Sequence, residues 1–410
     1  MYDVRMALPR LCHLHREEGV KKIMSKGKSK QVAGVEASPK RRLVSGNEAC
    51  AEAAIASGIR FFAGYPITPA TGILLTINKL LPKARGVVIQ GEDEIASIGF
   101  CLGASAAGMK TMTATSGPGM SLYSENIGFA QMAELPIVII NVQRMGPATG
   151  GATTNAEGDI QFMRWITSGG YPIITLAPST VEECYPLTIE AFNLAERFRT
   201  PVILSVSKDL VTTRDTVDTS KFTPQRIVNR KYAKTDNFLP YAYDKTEDTP
   251  PFAELGGNIL TRINTSSHDK HGHLAKDPDI VGPALMHLND KIMAHRDEIE
   301  YVNPDIEKGA TTIIVAYGMM ARVSHEVVDK LRLLGKKISL LTVHSLWPVP
   351  DGALQNFVAD HEQIIIPELN LGQYKLEIER LFPDKNILSI TKIDGTLISP
   401  EIIIKEGNLL

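Results

Sequence analysis

Short apolar runs of strand length alternate with longer stretches of helical period along most of this chain. A polar Ser45-Gly46-Asn47-Glu48 precedes an Ala-rich stretch that predicts a helix over 48–57, with Ser45 or Asn47 as its cap. Phe61-Phe62-Ala63-Gly64 reads as a short strand that leads into a Tyr-Pro turn. The pattern then predicts a helix over 71–80, a strand over 86–90, a helix over 94–107 and a strand over 110–114. A Gly-Pro-Gly turn, a helix over 121–132 and a strand over 136–142 follow. The run Leu135-Pro136-Ile137-Val138-Ile139-Ile140-Asn141-Val142 reads as a central strand covered on both faces. A strand over 173–177, a helix over 180–197 and a strand over 201–207 complete the series.

Strands alternating with helices predict βαβ units and a parallel sheet with helices on both faces, here a first domain over residues 43–213. Residues 214–300 break the rhythm with charged, Pro-rich and aromatic segments, read as a linker with irregular excursions. A second α/β unit is assigned to residues 301–410: a strand over 312–318, a helix over 321–334, a strand over 337–343, a helix over 351–359, a strand over 362–366 and a last helix and strand. Residues 1–42 are basic, with eight lysines and arginines between Lys21 and Arg42, and read as a mobile tail. Ser25-Lys26-Gly27-Lys28-Ser29 resembles part of a phosphate loop, but seven residues separate Gly19 from Gly27 where that motif has four, and no strand precedes it.

Composition narrows the function classes. A net charge of -2 gives no reason to expect nucleic acid or an anionic membrane as partner. No apolar run reaches the roughly 18 residues needed to cross a bilayer, and the N-terminus lacks the apolar core of a secretory signal, so a cytoplasmic location is expected. Cys12, Cys50, Cys101 and Cys184 lie far apart with no C-x-x-C pair. That spacing argues against an iron–sulfur or zinc site held by this chain, so a redox metal would come from another. His268-Asp269-Lys270-His271-Gly272-His273 has the look of a metal cluster, yet it sits in an irregular polar stretch and reads as an exposed loop.

The informative chemistry gathers where predicted strands end. Glu92-Asp93-Glu94 follows Val87-Val88-Ile89 and starts a small, apolar helix-like stretch. A carboxylate there is costly to desolvate without a partner, so one of the three either caps the helix or is aimed at a ligand. In an open α/β sheet, ligands bind outside the carboxyl ends of the strands. The tips Tyr65–Pro69, Glu92–Glu94, Thr115–Gly119 and Gln143–Gly146 all fall on that edge. Arg144 stands at the same rim, where a guanidinium fork suits a carboxylate-bearing substrate; a solvated strand-end arginine is the alternative. The P-loop, G-x-S-x-G and H-E-x-x-H signatures are absent.

Five motifs, in order along the chain, carry a family resemblance: Tyr65-Pro66-Ile67-Thr68-Pro69, Glu92-Asp93-Glu94-Ile95-Ala96, Gly103-Ala104-Ser105-Ala106-Ala107-Gly108, Thr113-Ala114-Thr115-Ser116-Gly117-Pro118-Gly119 and Pro367-Glu368-Leu369-Asn370-Leu371-Gly372-Gln373. Together they resemble the alpha subunit of 2-oxoacid:ferredoxin oxidoreductases, in the 2-oxoglutarate branch, over roughly residues 43–400. The resemblance implies a thiamine diphosphate enzyme with a pyrimidine-binding parallel-sheet domain followed by a transketolase C-terminal-like α/β domain. It places Glu94 as the glutamate that hydrogen-bonds the aminopyrimidine ring, and Tyr65, Pro66, Ser116 and Gly117 around the cofactor. Thr68 is then the hydroxyl beside the reacting carbons, and Arg144 holds the substrate's 1-carboxylate.

No Gly-Asp-Gly with a following metal-binding Asn is present. The diphosphate, Mg²⁺ and a [4Fe-4S] cluster are therefore expected on a beta subunit, with CoA as co-substrate, ferredoxin as electron acceptor and room for small gamma and delta subunits. Alone, the chain is expected to be inactive. Two rival readings are the beta chain of an NAD-linked 2-oxoacid dehydrogenase, or another thiamine enzyme, and a non-catalytic scaffold subunit with a degenerate site.

Overall fold

The structure is a computed structural model that describes residues 41–222, 226–235 and 237–410. Most of the basic N-terminal stretch therefore lies outside the described residues. The chain first runs β1 (Arg41–Ser45), α1 (Gly46–Ala56), β2 (Phe61–Gly64), α2 (Thr71–Leu80), β3 (Val87–Gln90), α3 (Glu94–Ala106), β4 (Thr111–Thr115), α4 (Gly117–Met132) and β5 (Ile137–Gln143). It continues through α5 (Ile160–Arg164), β6 (Ile174–Leu176), α6 (Val181–Phe198), β7 (Pro201–Ser207), α7 (Lys208–Thr212) and β8 (Arg214–Asp218). Then come α8 (Pro278–Met293), β9 (Val302–Asp305), β10 (Thr312–Ala316), α9 (Gly318–Leu333), β11 (Ser339–Val343) and β12 (Ser345–Trp347). The chain ends with α10 (Asp351–Val358), β13 (Gln363–Glu368), α11 (Lys375–Leu381), β14 (Asn386–Thr391) and α12 (Pro400–Glu406).

Seven strands form one sheet in the order β12-β6-β7-β5-β4-β2-β3, all parallel except β12, which runs antiparallel to β6. Every residue of β5 and β7 is buried. Val138, Ile140 and Val142 pack toward the face covered by α1, α2 and α6, while Ile137 and Ile139 face α3 and α4. A strand covered on both sides thus needs no polar alternation, and each such side chain contributes about 1.5–3 kcal/mol of burial. A second sheet, β14-β13-β10-β11-β9, is parallel except for β9. The α/β class, with mixed, mainly parallel sheets, agrees with the sequence pattern.

Local chemistry explains the boundaries. Ser45 caps α1 in a capping box: its Oγ accepts the Glu48 N–H at 3.3 Å, and Glu48 Oε2 accepts the Ser45 N–H at 2.8 Å. Asp93 caps α3, accepting the Ala96 N–H at 2.7 Å. Helix α4 begins at Gly117, four residues before the expected 121, so Gly117-Pro118-Gly119 is its first turn and not a separate loop. A proline there lacks only an N–H that has no helical partner anyway.

The irregular stretch before residue 300 holds more structure than its composition predicts. It contains the sixteen-residue α8, and buried charges tie it to the main sheet domain. Lys291 Nζ and His287 Nε2 reach Glu134 Oε2 at 2.9 and 3.2 Å, and Arg230 pairs with Glu196 at 2.6 Å. In the histidine-rich stretch, Asp269 accepts the backbone N–H of His271 and His273, and His268 is buried with its ring on Tyr241. Among the described residues no group of three His, Cys, Asp or Glu is placed to hold a metal ion.

Candidate active site

Four neighbouring parallel strands end together. β2, β3, β4 and β5 stop at Gly64, Gln90, Thr115 and Gln143, with Gly64 in register with Gln90 and Thr115 with Asn141. The tips singled out in the sequence therefore share one edge of the sheet, as the pattern predicts.

Glu94 is the first residue of α3 and is only 6 % exposed. Asp93 meets the capping need of the helix, which leaves Glu94 free for another purpose; among the described residues its carboxylate has no hydrogen-bond partner. It lies against the first turn of α4: a Cβ on Gly119 would sit 2.8 Å from Glu94 Cγ, 3.0 Å from its Oε1 and 1.9 Å from Thr115 Oγ1. Only glycine fits there. A helix N-terminus carries partial positive charge, which favours a carboxylate beside it. Ser116 stands at the N-cap position of the same helix without a side-chain capping bond, and its buried Oγ has no hydrogen-bond partner among the described residues. The Glu94 carboxylate, without a hydrogen bond among the described residues, and the buried, unpartnered Ser116 hydroxyl meet at the start of α4, an arrangement that fits a polar ligand ring.

Arg144 follows β5 and is 6 % exposed. Its Nη1 donates to the Thr68 carbonyl and its Nη2 to the Thr149 carbonyl at 3.1 Å, which joins the Tyr-Pro turn to the following loop. Its buried Nε has no partner. Arg144 lines a cavity of about 490 Å³ with Gly117, Asp159, Asn370 and Gln373. Tyr65, Pro66, Thr68, Glu94 and Ser116 are not on that wall; Thr68 connects to it through Arg144, and Ser116 and Glu94 through the start of α4. Tyr65 and Thr68 are exposed and Pro66 half-buried.

Asp159 escaped the reading of the sequence. Its carboxylate lies at the start of α4, where a Cβ on Gly117 would be 3.2 Å from both oxygens. Asn141 donates to it at 3.0 Å, and Gln143 Oε1 accepts the Asp159 N–H at 3.0 Å. Burial raises the Asp159 carboxyl above its ordinary range, against the lowering effects of Asn141 and Arg144. The available signal was Asn141 and Gln143, two amides inside an otherwise apolar buried strand.

The floor of the cavity is the motif Pro367–Gln373. Asn370 donates to the Glu157 carbonyl and the Tyr317 hydroxyl, both at 2.8 Å, while its Oδ1 accepts the N–H of Gly372 and Gln373. Gln373 exchanges bonds with Gly158 and Gln161. Glu368 accepts the Tyr317 hydroxyl at 2.8 Å and two backbone N–H groups, with its carboxyl raised by burial. Glu157 Oε1 accepts from Ser207 Oγ and from the Met319 N–H, while Oε2 has no partner. Burial pushes the Glu157 carboxyl up to about 7.

Residues 52–278 match the family described as "Pyruvate flavodoxin/ferredoxin oxidoreductase, thiamine diP-bdg", and residues 310–403 match "Pyruvate:ferredoxin oxidoreductase core domain II". The chain is 39% identical to the 2-oxoglutarate synthase subunit KorA of Methanocaldococcus jannaschii, over 88% of this chain and 98% of that protein. It is 36% identical to the subunit of the same name from Archaeoglobus fulgidus, over 90% and 99%. Among solved structures, 2-oxoglutarate:ferredoxin oxidoreductase from Magnetococcus marinus, with 2-oxoglutarate, coenzyme A and succinyl-CoA bound, superposes with a TM-score of 0.83 at 30% identity, covering 94% of this chain and 68% of that one. The chain belongs to the thiamine diphosphate-dependent 2-oxoacid:ferredoxin oxidoreductase family, as the alpha subunit of such an enzyme.

Proposed function

We propose that this subunit supplies the pyrimidine side of a thiamine diphosphate site for CoA-dependent oxidative decarboxylation of 2-oxoglutarate, with ferredoxin taking the electrons. The observation that carries the proposal is Glu94: a residue only 6 % exposed at a strand-end edge, whose carboxylate has no hydrogen bond among the described residues. Glu94 would hydrogen-bond a ring nitrogen of the cofactor, with Ser116, Tyr65, Pro66 and Gly117 bordering the ring. Bound there, thiamine diphosphate supplies the carbon nucleophile that adds to the 2-oxo group and holds the electrons left when carbon dioxide departs. Arg144 Nε and the guanidinium edge orient the substrate's 1-carboxylate, with Thr68 beside the reacting carbons. The substrate choice rests on the names of the relatives, two of which are 2-oxoglutarate synthase subunits.

The surface next to Glu94 is the docking face for a beta subunit that brings the diphosphate, Mg²⁺ and an iron–sulfur cluster. Beyond Glu94, α3 carries no charge, and Phe100 is 42 % exposed on it. On α4, Leu122 and Phe129 are exposed as well, with the exposed Glu125 between them. A helix apolar on every side is a buried helix, and here only a partner can bury it. Among the described residues no helix is long and apolar enough to cross a membrane.

Co-expression with a beta-type chain of the family tests the reading. The complex should reduce a viologen dye with CoA and 2-oxoglutarate in preference to pyruvate and branched 2-oxoacids, and this chain alone should not. A complex that oxidises pyruvate best would overturn the substrate; dependence on NAD and a lipoyl partner would overturn the class.

A further inference from the structure

On the far side of α5 from the cavity at Arg144 lies a second cavity of about 350 Å³, lined by Arg164, Trp165, Arg296, Trp347, Glu377 and Arg380 among others. Its cations are not equivalent. Arg380 is paired with Asp351 and Glu377, both at 2.9 Å, and Arg296 is paired with Asp351 at 2.9 Å. Arg164 has no hydrogen bond and no ion pair among the described residues. Its guanidinium lies 4.1 Å from the ring centre of Trp165 and 6.0 Å from that of Trp347, and its Nη1 is shielded from water without a partner. Of the three arginines, Arg164 alone lacks a direct ion pair among the described residues, although Glu377 acts on it through space.

The two indoles differ as well. Trp347 is a fixed wall, buried and donating to the Ile160 carbonyl at 3.0 Å. Trp165 is 57 % exposed. Leaving a guanidinium donor unmet costs about 1–3 kcal/mol, and leaving a large ring wet forgoes burial, so both groups gain from a ligand that covers them together.

We infer that Arg164 and Trp165 form a binding site for a phosphorylated purine nucleotide, with the phosphate on the guanidinium and the base stacked on the indole. A guanidinium fork matches phosphate oxygens, and an exposed indole offers a stacking face that any purine can use. The cavity volume lies at the small end of ligand sites, the range that suits a single nucleotide. The same chemistry is presented by a free nucleotide and by the nucleotide end of coenzyme A. The site stands apart from Glu94 and Arg144 and does not depend on which 2-oxoacid is used.

The chain has two tryptophans, and both line this cavity, so tryptophan emission of the full chain reports on it directly. Titration with ADP should change that emission saturably in the sub-millimolar range. Arg164→Gln should weaken ADP at least tenfold, Arg164→Lys less, and Trp165→Phe should remove most of the signal. Inorganic phosphate should bind at least tenfold more weakly than ADP, because it lacks the ring. Displacement of ADP by CoA but not by 4′-phosphopantetheine would support the site as the acyl acceptor's nucleotide subsite; ADP binding untouched by CoA would support a free-nucleotide site. No saturable response up to several millimolar ADP, equal ADP affinity in Arg164→Gln, or equal binding of phosphate and ADP would overturn the inference.

Discussion

Two buried carboxylates, Glu368 and Glu94, occupy opposite ends of the same problem. Glu368 ends β13 and accepts the Tyr317 hydroxyl and the N–H of Tyr374 and Lys375, so its own chain satisfies it. Glu94 starts α3, is nearly as deeply buried, and has no such partner among the described residues. The first is a seam, holding the loop 369–373 against Glu157–Gln161. The second makes no such bond among the described residues, which is the ground of the role proposed for it. Burial alone does not mark a functional carboxylate; what separates Glu94 from Glu368 is the lack of an internal partner.

This contrast can be broken at several points. Glu368→Ala should be the most damaging to the fold, because it strands a tyrosine hydroxyl and two backbone N–H groups; a loss of roughly 3 kcal/mol in urea unfolding is expected. An unchanged midpoint would mean the seam is not structural. Phe100→Glu should leave the fold intact, since its ring is partly exposed, yet weaken co-purification with the beta subunit on the order of a hundredfold. Normal assembly would free that face from the role given to it. Arg144→Ala should raise the KM for the 2-oxoacid on the order of tenfold, with kcat less affected; an unchanged KM would remove the arginine from the carboxylate.

The smallest effect is expected at Glu157. Its folded carboxyl is raised to about 7 by burial, above the ordinary value of 4.5. Stability from this group is therefore fully present below pH 4.5 and is lost as pH rises toward 7, by about 1 kcal/mol between pH 6 and 8. Both of its donors reach Oε1, so Glu157→Gln can place its NH₂ at the unpartnered Oε2 position. Urea midpoints measured across that range should flatten in the variant; an unaltered slope would show that another group titrates.

Much of the sheet that carries Glu94 was legible in the sequence, for a physical reason. Strands buried on both faces are continuous apolar runs, and Ile137–Val142 can hardly be anything else. The edge was legible too, because strand ends in such a sheet converge by topology. What was not legible depends on distant partners. β12 has three residues and finds β6 some 170 positions away, so no local pattern announces it. α8 carries Pro283 within it and lies among charged segments that read as loop. Asp159 and Glu157 sit in a polar stretch, Asn155-Ala156-Glu157-Gly158-Asp159, whose burial appears only once 367–373 closes over it. Among Glu92, Asp93 and Glu94 the sequence favoured the last by resemblance; the fold adds that Asp93 is the cap, exposed and occupied by the Ala96 N–H.

The central claim is that Glu94 is reserved for a ligand and Glu368 for the fold. Glu94→Gln in the assembled enzyme tests it most directly, with 2-oxoacid-dependent dye reduction and urea unfolding measured on the same preparation. The account predicts a fall in kcat on the order of a hundredfold or more with stability close to that of the parent, since the Glu94 carboxylate makes no hydrogen bond among the described residues. Near-normal turnover, or a loss of stability as large as that at Glu368, would contradict it.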